Sequence, residues 1–182
     1  MIVTLGVGTG PRYRPRAAET AADHYLADVT LVVIPALDES ATVGKVVAEI
    51  RGLGLDAVVV DDGSEDDTAA VARTAGATVL RLPVNVGVGG ALRIGFRHAR
   101  RRGAARVVIV DADLQHAPDQ IPRLLAVADQ GYDLVIGSRF LEPGYEVSPL
   151  RRRAMRILSR VVSRRTGVAL TDVTSGFRVV SG

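Results

Sequence analysis

The 182-residue chain contains no cysteine and no tryptophan. Without cysteine there are no disulfides, no thiolate metal sites and no cysteine nucleophile, although the compartment stays open. Aromatics are only 4%, which argues against base-stacking platforms and against a nucleic-acid partner. Lys45 is the sole lysine, so basic charge is nearly all arginine. No apolar run approaches the ~18 residues of a membrane span. Met1 to Val7 is too short an apolar run before GTGPRYRPR to read as a signal peptide. What remains is ordinary for a globular protein: 47% hydrophobic, 24% charged, net charge +3, and length for one domain with a sizeable core.

Residues 1–27 read as a loosely structured leader, and 28–182 as a single domain. Short β-branched runs predict strands at Val29–Ile34, Ala57–Val60, Thr78–Leu82, Val107–Val110 and Leu134–Ile136. Between them the pattern predicts helices at about 40–52, 65–75, 87–102 and 119–130, with a last helix at about 150–165. Phe177 to Val180 could add one strand. Strands alternating with such helices argue for βαβ units, a mostly parallel sheet and helices on both faces.

The richest stretch is VVIVDADLQH, residues 107–116. Strand side chains alternate with period two, so Asp111 and Asp113 are expected on one side at the strand's C-terminal edge. Ligands bind at that edge of open α/β sheets. Two carboxylates there suit Mg²⁺ or Mn²⁺, a hard ion shared with substrate phosphates. Calcium in an EF-hand is excluded, because His116 stands where the loop needs glycine and Pro122 where it needs glutamate.

Other strand ends carry further candidates. The first runs into Pro35, Leu37, Asp38, Glu39 and Ser40, either a capped connection or carboxylates facing a ligand. The second ends in Asp61-Asp62-Gly63-Ser64, where Ser64 and Asp67 have capping-box spacing. That box leaves Asp61 and Asp62 unexplained, and adjacent carboxylates repel unless something binds them. Asn85, Gly87, Gly89 and Gly90 open the next helix without forming a P-loop or a G-x-G-x-x-G motif. Arg139 ends the fifth strand, where it could hold a diphosphate. Leu150, Ala154, Ile157, Leu158, Val161 and Val162 share one face of helix 150–165 and arginines fill the rest. That face either packs on the core or lies on an anionic membrane.

In order, VVIPALDES, VVVDDGSEDDT, NVGVGGALRIGF, VVIVDADLQH, DLVIGSRF, the arginine-rich helix and TDVTSGFR cover roughly residues 29–180. Jointly they resemble the family-2 glycosyltransferases of GT-A fold, in the dolichyl/polyprenyl-phosphate sugar transferase branch. The resemblance implies a Rossmann-like α/β domain and an inverting, metal-dependent transfer. A sugar would pass from a GDP- or UDP-sugar to a polyprenyl phosphate, at the cytoplasmic face of a membrane. It implies donor-binding roles for Pro35, Leu37, Glu39, Asp61, Asp62, Asn85, Gly87, Asp111, Arg139 and Arg151. Asp111, Asp113 and Gln115 would hold Mg²⁺ or Mn²⁺, and Asp172 would stand near the acceptor as a general base. Asp113, Asp172 and Arg139 are thus the implied catalytic set. The family often has Tyr or Asn where Leu37 and Asp38 stand, and its members continue beyond SGFR, so the acceptor side is expected to be incomplete here.

Two other readings stay open: a non-catalytic nucleotide-sugar-binding fragment, and a sugar nucleotidylyltransferase. The nucleotidylyltransferase needs a later lysine that the chain lacks. A phospho-acceptor receiver domain needs one too.

Overall fold

The computed structural model describes residues 3–5, 29–114, 117–139, 148–168 and 170–181. In chain order its elements are β1 (Val3–Leu5), β2 (Thr30–Ala36), α1 (Val43–Gly52), β3 (Asp56–Asp61), α2 (Thr68–Thr74) and β4 (Thr78–Arg81). Then come α3 (Val88–Arg101), β5 (Arg106–Ile109), a 3₁₀ turn (Pro118–Gln120), α4 (Ile121–Ala128), β6 (Leu134–Ile136), α5 (Pro149–Thr166) and β7 (Arg178–Ser181). The contacts divide the chain into two compact units: Ala18–Ile121, and Met1–Ala17 with Pro122–Ser181.

The first unit is a parallel sheet in the order β5-β2-β3-β4. β2, β3 and β5 are largely apolar and buried, as in a sheet covered on both faces, whereas the edge strand β4 is half-buried. Leu31 and Val33 of β2, Val58 and Val60 of β3, and Val107 of β5 pack under Ala91 and Ala99 of α3. By period two, Val32, Ile34 and Val59 point to the opposite face and are likewise fully buried. α1 and α2 pack against β3 on that side, with Val43, Val46, Val47 and Ile50 of α1 inward. Each such side chain contributes about 1.5–3 kcal/mol when fully buried. α3 runs so close to the sheet that a Cβ on Gly95 would lie 2.3 Å from Val33 Cγ1.

The order places the chain-reversal point beside β2. β3 and β4 extend to one side of it, and the chain returns through α3 to put β5 on the other. Pairing of β2 with β5 ends at Val33–Ile109, with Val110 N–H donating to Val33 O at 3.2 Å. Pairing with β3 runs on to Ala36–Asp61. Pro35 lies past the end of the β5 ladder, so its missing N–H costs no bond there. Beyond Val33 the two strands separate and leave room for a ligand.

The second unit carries the antiparallel strands β1-β6-β7, with Val3 opposite Ile136 and Leu134 opposite Val180. Residues 3–5, inside the stretch expected to be loose, thus form a strand; the remainder of 1–27 lies outside the described residues. α5 corrects the packing-face expectation. Leu150, Ile157, Leu158 and Val161 are 80%, 49%, 46% and 47% exposed, whereas Met155 and Ser159 are buried. Small hydroxyls set this rotation. Ser159 Oγ accepts from Val173 N–H at 3.3 Å and Ser163 Oγ from Leu170 N–H at 2.8 Å, tying the serine side to the following segment. Among the described residues no helix is long and apolar enough to cross a membrane.

Candidate active site

The C-terminal ends of β2, β3 and β5 and the start of α3 enclose a cavity of about 300 Å³ within the first unit. From β2 and its loop come Pro35, Leu37 and Glu39; after β3 comes Asp62. Asn85, Gly87 and Val88 contribute from the entry to α3, and Asp111 and Asp113 from the loop after β5. Eight of the residues singled out from sequence therefore meet in one place.

Asp111 and Asp113 reach it by a different route from the one expected. β5 stops at Ile109 and Asp113 already stands in a turn. Leu114 follows at φ 60°. A turn, not strand alternation, brings the two carboxylates to one cavity.

Asp61 and Asp62 part company. Asp61 is fully buried and does not line the cavity. Its Oδ1 accepts from Ser64 N–H at 2.9 Å, and its Oδ2 lies 3.3 Å from Arg81 Nε. Arg81 Nη2 also donates to Ser64 O at 3.1 Å. Asp61 thus fixes the turn. Asp62, 4% exposed, lines the cavity, and its Oδ1 accepts from Val86 N–H at 2.8 Å. The like charges are separated by giving each its own donors.

The expected capping box is also corrected. α2 begins at Thr68 with Asp67 at its N-cap position and no side-chain cap bond. Ser64 is instead part of a latch between two loops. Backbone N–H groups of Asp38, Glu39 and Ser40 donate to Ser64 Oγ, Thr68 Oγ1 and Asp66 Oδ2, at 3.0, 2.8 and 3.0 Å. In return Glu65 N–H donates to Asp38 Oδ1 at 2.8 Å. Hydrogen bonds from Ser40 and Thr68 hold the Asp66 carboxyl far below the ordinary carboxylate range. Asp38 takes φ 54°, a left-handed conformation that Asp and Asn tolerate best. No local sequence rule links residues 17 to 29 positions apart, which is why Ser64, Thr68 and Arg81 carry no sequence signal as shapers of the site.

In the second unit, Arg139 and Asp172 hold each other. Arg139 Nε donates to Asp172 Oδ2 at 2.9 Å and Nη2 to Oδ1 at 3.2 Å. Nη2 also donates to Thr174 Oγ1 at 2.7 Å. Asp172 is 2% exposed. Burial alone would raise its pKa, but hydrogen bonds from Arg139 and Thr174 and the Arg139 charge outweigh it, and the net shift is downward. Gln115 lies outside the described residues, as does the side chain of Arg151 in α5.

The paired carboxylates fit a divalent ion. Mg²⁺ and Mn²⁺ bind through one or two carboxylates and complete their shell with water and substrate phosphates. Among the described residues no group of three or more His, Cys, Asp or Glu gathers into a metal site.

The fold is of the GT-A class, a parallel α/β unit with an acidic cavity at its chain-reversal point. The chain belongs to glycosyl transferase family 2, whose family model matches residues 31–181. It is 36% identical over 160 residues to the polyprenol monophosphomannose synthase of Mycolicibacterium smegmatis, covering 82% of this chain and 60% of that protein. It is 35% identical over 153 residues to the undecaprenyl-phosphate 4-deoxy-4-formamido-L-arabinose transferase of Edwardsiella ictaluri, covering 78% and 45%. The chain thus spans about half of the length of these curated relatives. Among solved structures it resembles glucosyl-3-phosphoglycerate synthase of Mycobacterium tuberculosis in complex with Mn²⁺, UDP and glucosyl-3-phosphoglycerate. The TM-score is 0.66 and the identity 26%, covering 94% of this chain and 64% of that one.

Proposed function

We propose that the chain carries the donor half of an inverting glycosyltransferase moving a sugar from a nucleoside-diphosphate donor to a polyprenyl phosphate. The observation that carries this reading is the convergence of Asp62, Asp111 and Asp113 on one cavity. Asp62 would receive the base, and Asn85 and Gly87 would border the nucleotide. Asp111 and Asp113 would hold a divalent ion, which when bound supplies charge neutralisation for the leaving diphosphate.

In the reaction an oxygen of the acceptor phosphate forms a bond to the sugar's anomeric carbon. The bond from that carbon to the donor phosphate breaks, and the electron pair leaves with the nucleoside diphosphate. The attacking oxygen is already anionic, so positioning matters more than proton removal. Asp172 suits this account as a partner that orients Arg139, because both its oxygens are engaged and its basicity is lowered. Mn²⁺-dependent binding of a nucleoside diphosphate is expected, and Asp111→Ala should weaken it about tenfold or more, read by calorimetric titration. Unchanged metal-dependent binding in that variant would overturn the assignment.

The exposed stripe on α5 supports peripheral membrane contact. Leu150, Ile157 and Val161 lie at helical spacing beside Arg153, Arg160 and Arg164, and the helix contains no acidic residue. Apolar side chains flanked by arginine suit the interface of an anionic bilayer.

A further inference from the structure

Resting on the donor-cavity reading, we infer that Arg81 is a positioning residue for the nucleotide, although it does not line the cavity. It ends the edge strand β4, directly opposite Asp61 in the β3 ladder. Its side chain is half exposed, yet the guanidinium has two inward partners. Nε lies 3.3 Å from Asp61 Oδ2, and Nη2 donates to Ser64 O at 3.1 Å. Asp61 Oδ2 is buried and, among the described residues, accepts no hydrogen bond. The Arg81 charge is what faces it there.

These contacts close a ring around Ser64. Asp61 Oδ1 takes the Ser64 N–H and Arg81 takes its carbonyl, so both sides of one residue are fixed. Two walls of the cavity depend on where that residue sits. Asp62 stands on the turn that the ring spans, and it lines the cavity. Gly63, at φ 82°, gives this turn a wide conformational range unless its ends are anchored. On the other side, Ser64 Oγ accepts from Asp38 N–H at 3.0 Å. Asp38 separates Leu37 from Glu39, and both of these line the cavity. One guanidinium outside the cavity thus holds the Asp62 carboxylate and the 37–39 loop in a single arrangement. A buried Asp61 charge beside a half-exposed arginine is a poor source of stability, because desolvation offsets much of the attraction. What the planar guanidinium adds is direction, through two donors at fixed geometry that lysine lacks.

Calorimetric titration of the full chain with UDP and with GDP in the presence of Mn²⁺, run beside urea denaturation, tests this. Arg81→Lys keeps a cation for Asp61 but gives up the two-point grip. It should hold most of the wild-type unfolding midpoint and weaken the diphosphate that binds by about fivefold or more. Because Arg81 acts through Asp62, Asp62→Ala should cost less affinity in the Arg81→Lys chain than in the wild type. The amide resonance of Val86, whose N–H donates to Asp62 Oδ1, should shift in Arg81→Lys while the α1 amides hold. Arg97→Ala removes an exposed arginine of α3 and should leave affinity unchanged. Wild-type affinity in folded Arg81→Lys, with or without a lower midpoint, would overturn the inference and leave the donor cavity standing. So would a loss that simply adds to that of Asp62→Ala, or an equal loss in Arg97→Ala. Failure of both diphosphates to bind the wild-type chain would overturn the donor reading and this inference with it. If Arg81→Lys does not fold, Arg81→Gln, which keeps a donor without the charge, is read in the same way.

Discussion

Single residues at this site act through the atoms they leave for others. Ser64 reads from sequence as a helix cap, but its burial and its bond to Asp38 N–H depend on a loop 26 positions away. Ser64→Ala leaves that amide without its acceptor and should lower unfolding free energy by about 1–3 kcal/mol, read from urea denaturation. Gly63 is more constrained. It takes φ 82°, and an added Cβ would meet backbone atoms of Val84 and Asn85, which cannot swing aside. Gly63→Ala should cost at least the ~1–2 kcal/mol of the left-handed conformation and weaken nucleotide binding as well. A variant with wild-type affinity and midpoint would show that the turn does not shape the cavity.

At the scale of elements, the position of α3 decides where the cavity opens. Its first residues line the site and its middle is pressed onto β2 at Gly95. Gly95→Ala should cost about 1–3 kcal/mol through overpacking against Val33, despite the better helix propensity of alanine. The denaturant midpoint should fall with the slope unchanged. α5 makes the contrasting case. Its apolar spacing was plain in the sequence, yet spacing gives the width of a stripe and not the direction it faces. Sedimentation with vesicles containing anionic lipid should capture the chain, and raising salt should release it as the arginines are screened. Leu150→Glu with Val161→Glu should reduce capture severalfold with the folded signal unchanged, since both side chains are exposed.

For the whole molecule, the depressed carboxyls set an acid limit. Asp66 and Asp172 both titrate below their ordinary value of 3.8 in the folded chain. Each therefore contributes stability that is fully present above that value. The contribution is lost as pH falls through the lower folded values, because the unfolded chain takes up protons first. Thermal denaturation should show a midpoint insensitive to these two groups from pH 5 to 8, falling steeply below about pH 4. Arg139→Ala should steepen destabilisation at neutral pH by leaving the buried Asp172 charge unpaired, a loss on the order of 3 kcal/mol.

The sequence by itself determined the alternation of strands and helices and the parallel character of the first sheet. It also determined that acids and glycines stand at strand ends. These follow from local periodicity and from the chemistry of side chains near one another in the chain. Only the tertiary structure decided which acid of Asp61 and Asp62 meets the cavity, how a turn gathers Asp111 with Asp113, and which way α5 faces. Those outcomes depend on partners far apart in sequence: Arg81 for Asp61, Val86 for Asp62, and the 170–173 segment for α5. A donor or acceptor supplied from a distant loop leaves no trace in the spacing of the residue it satisfies.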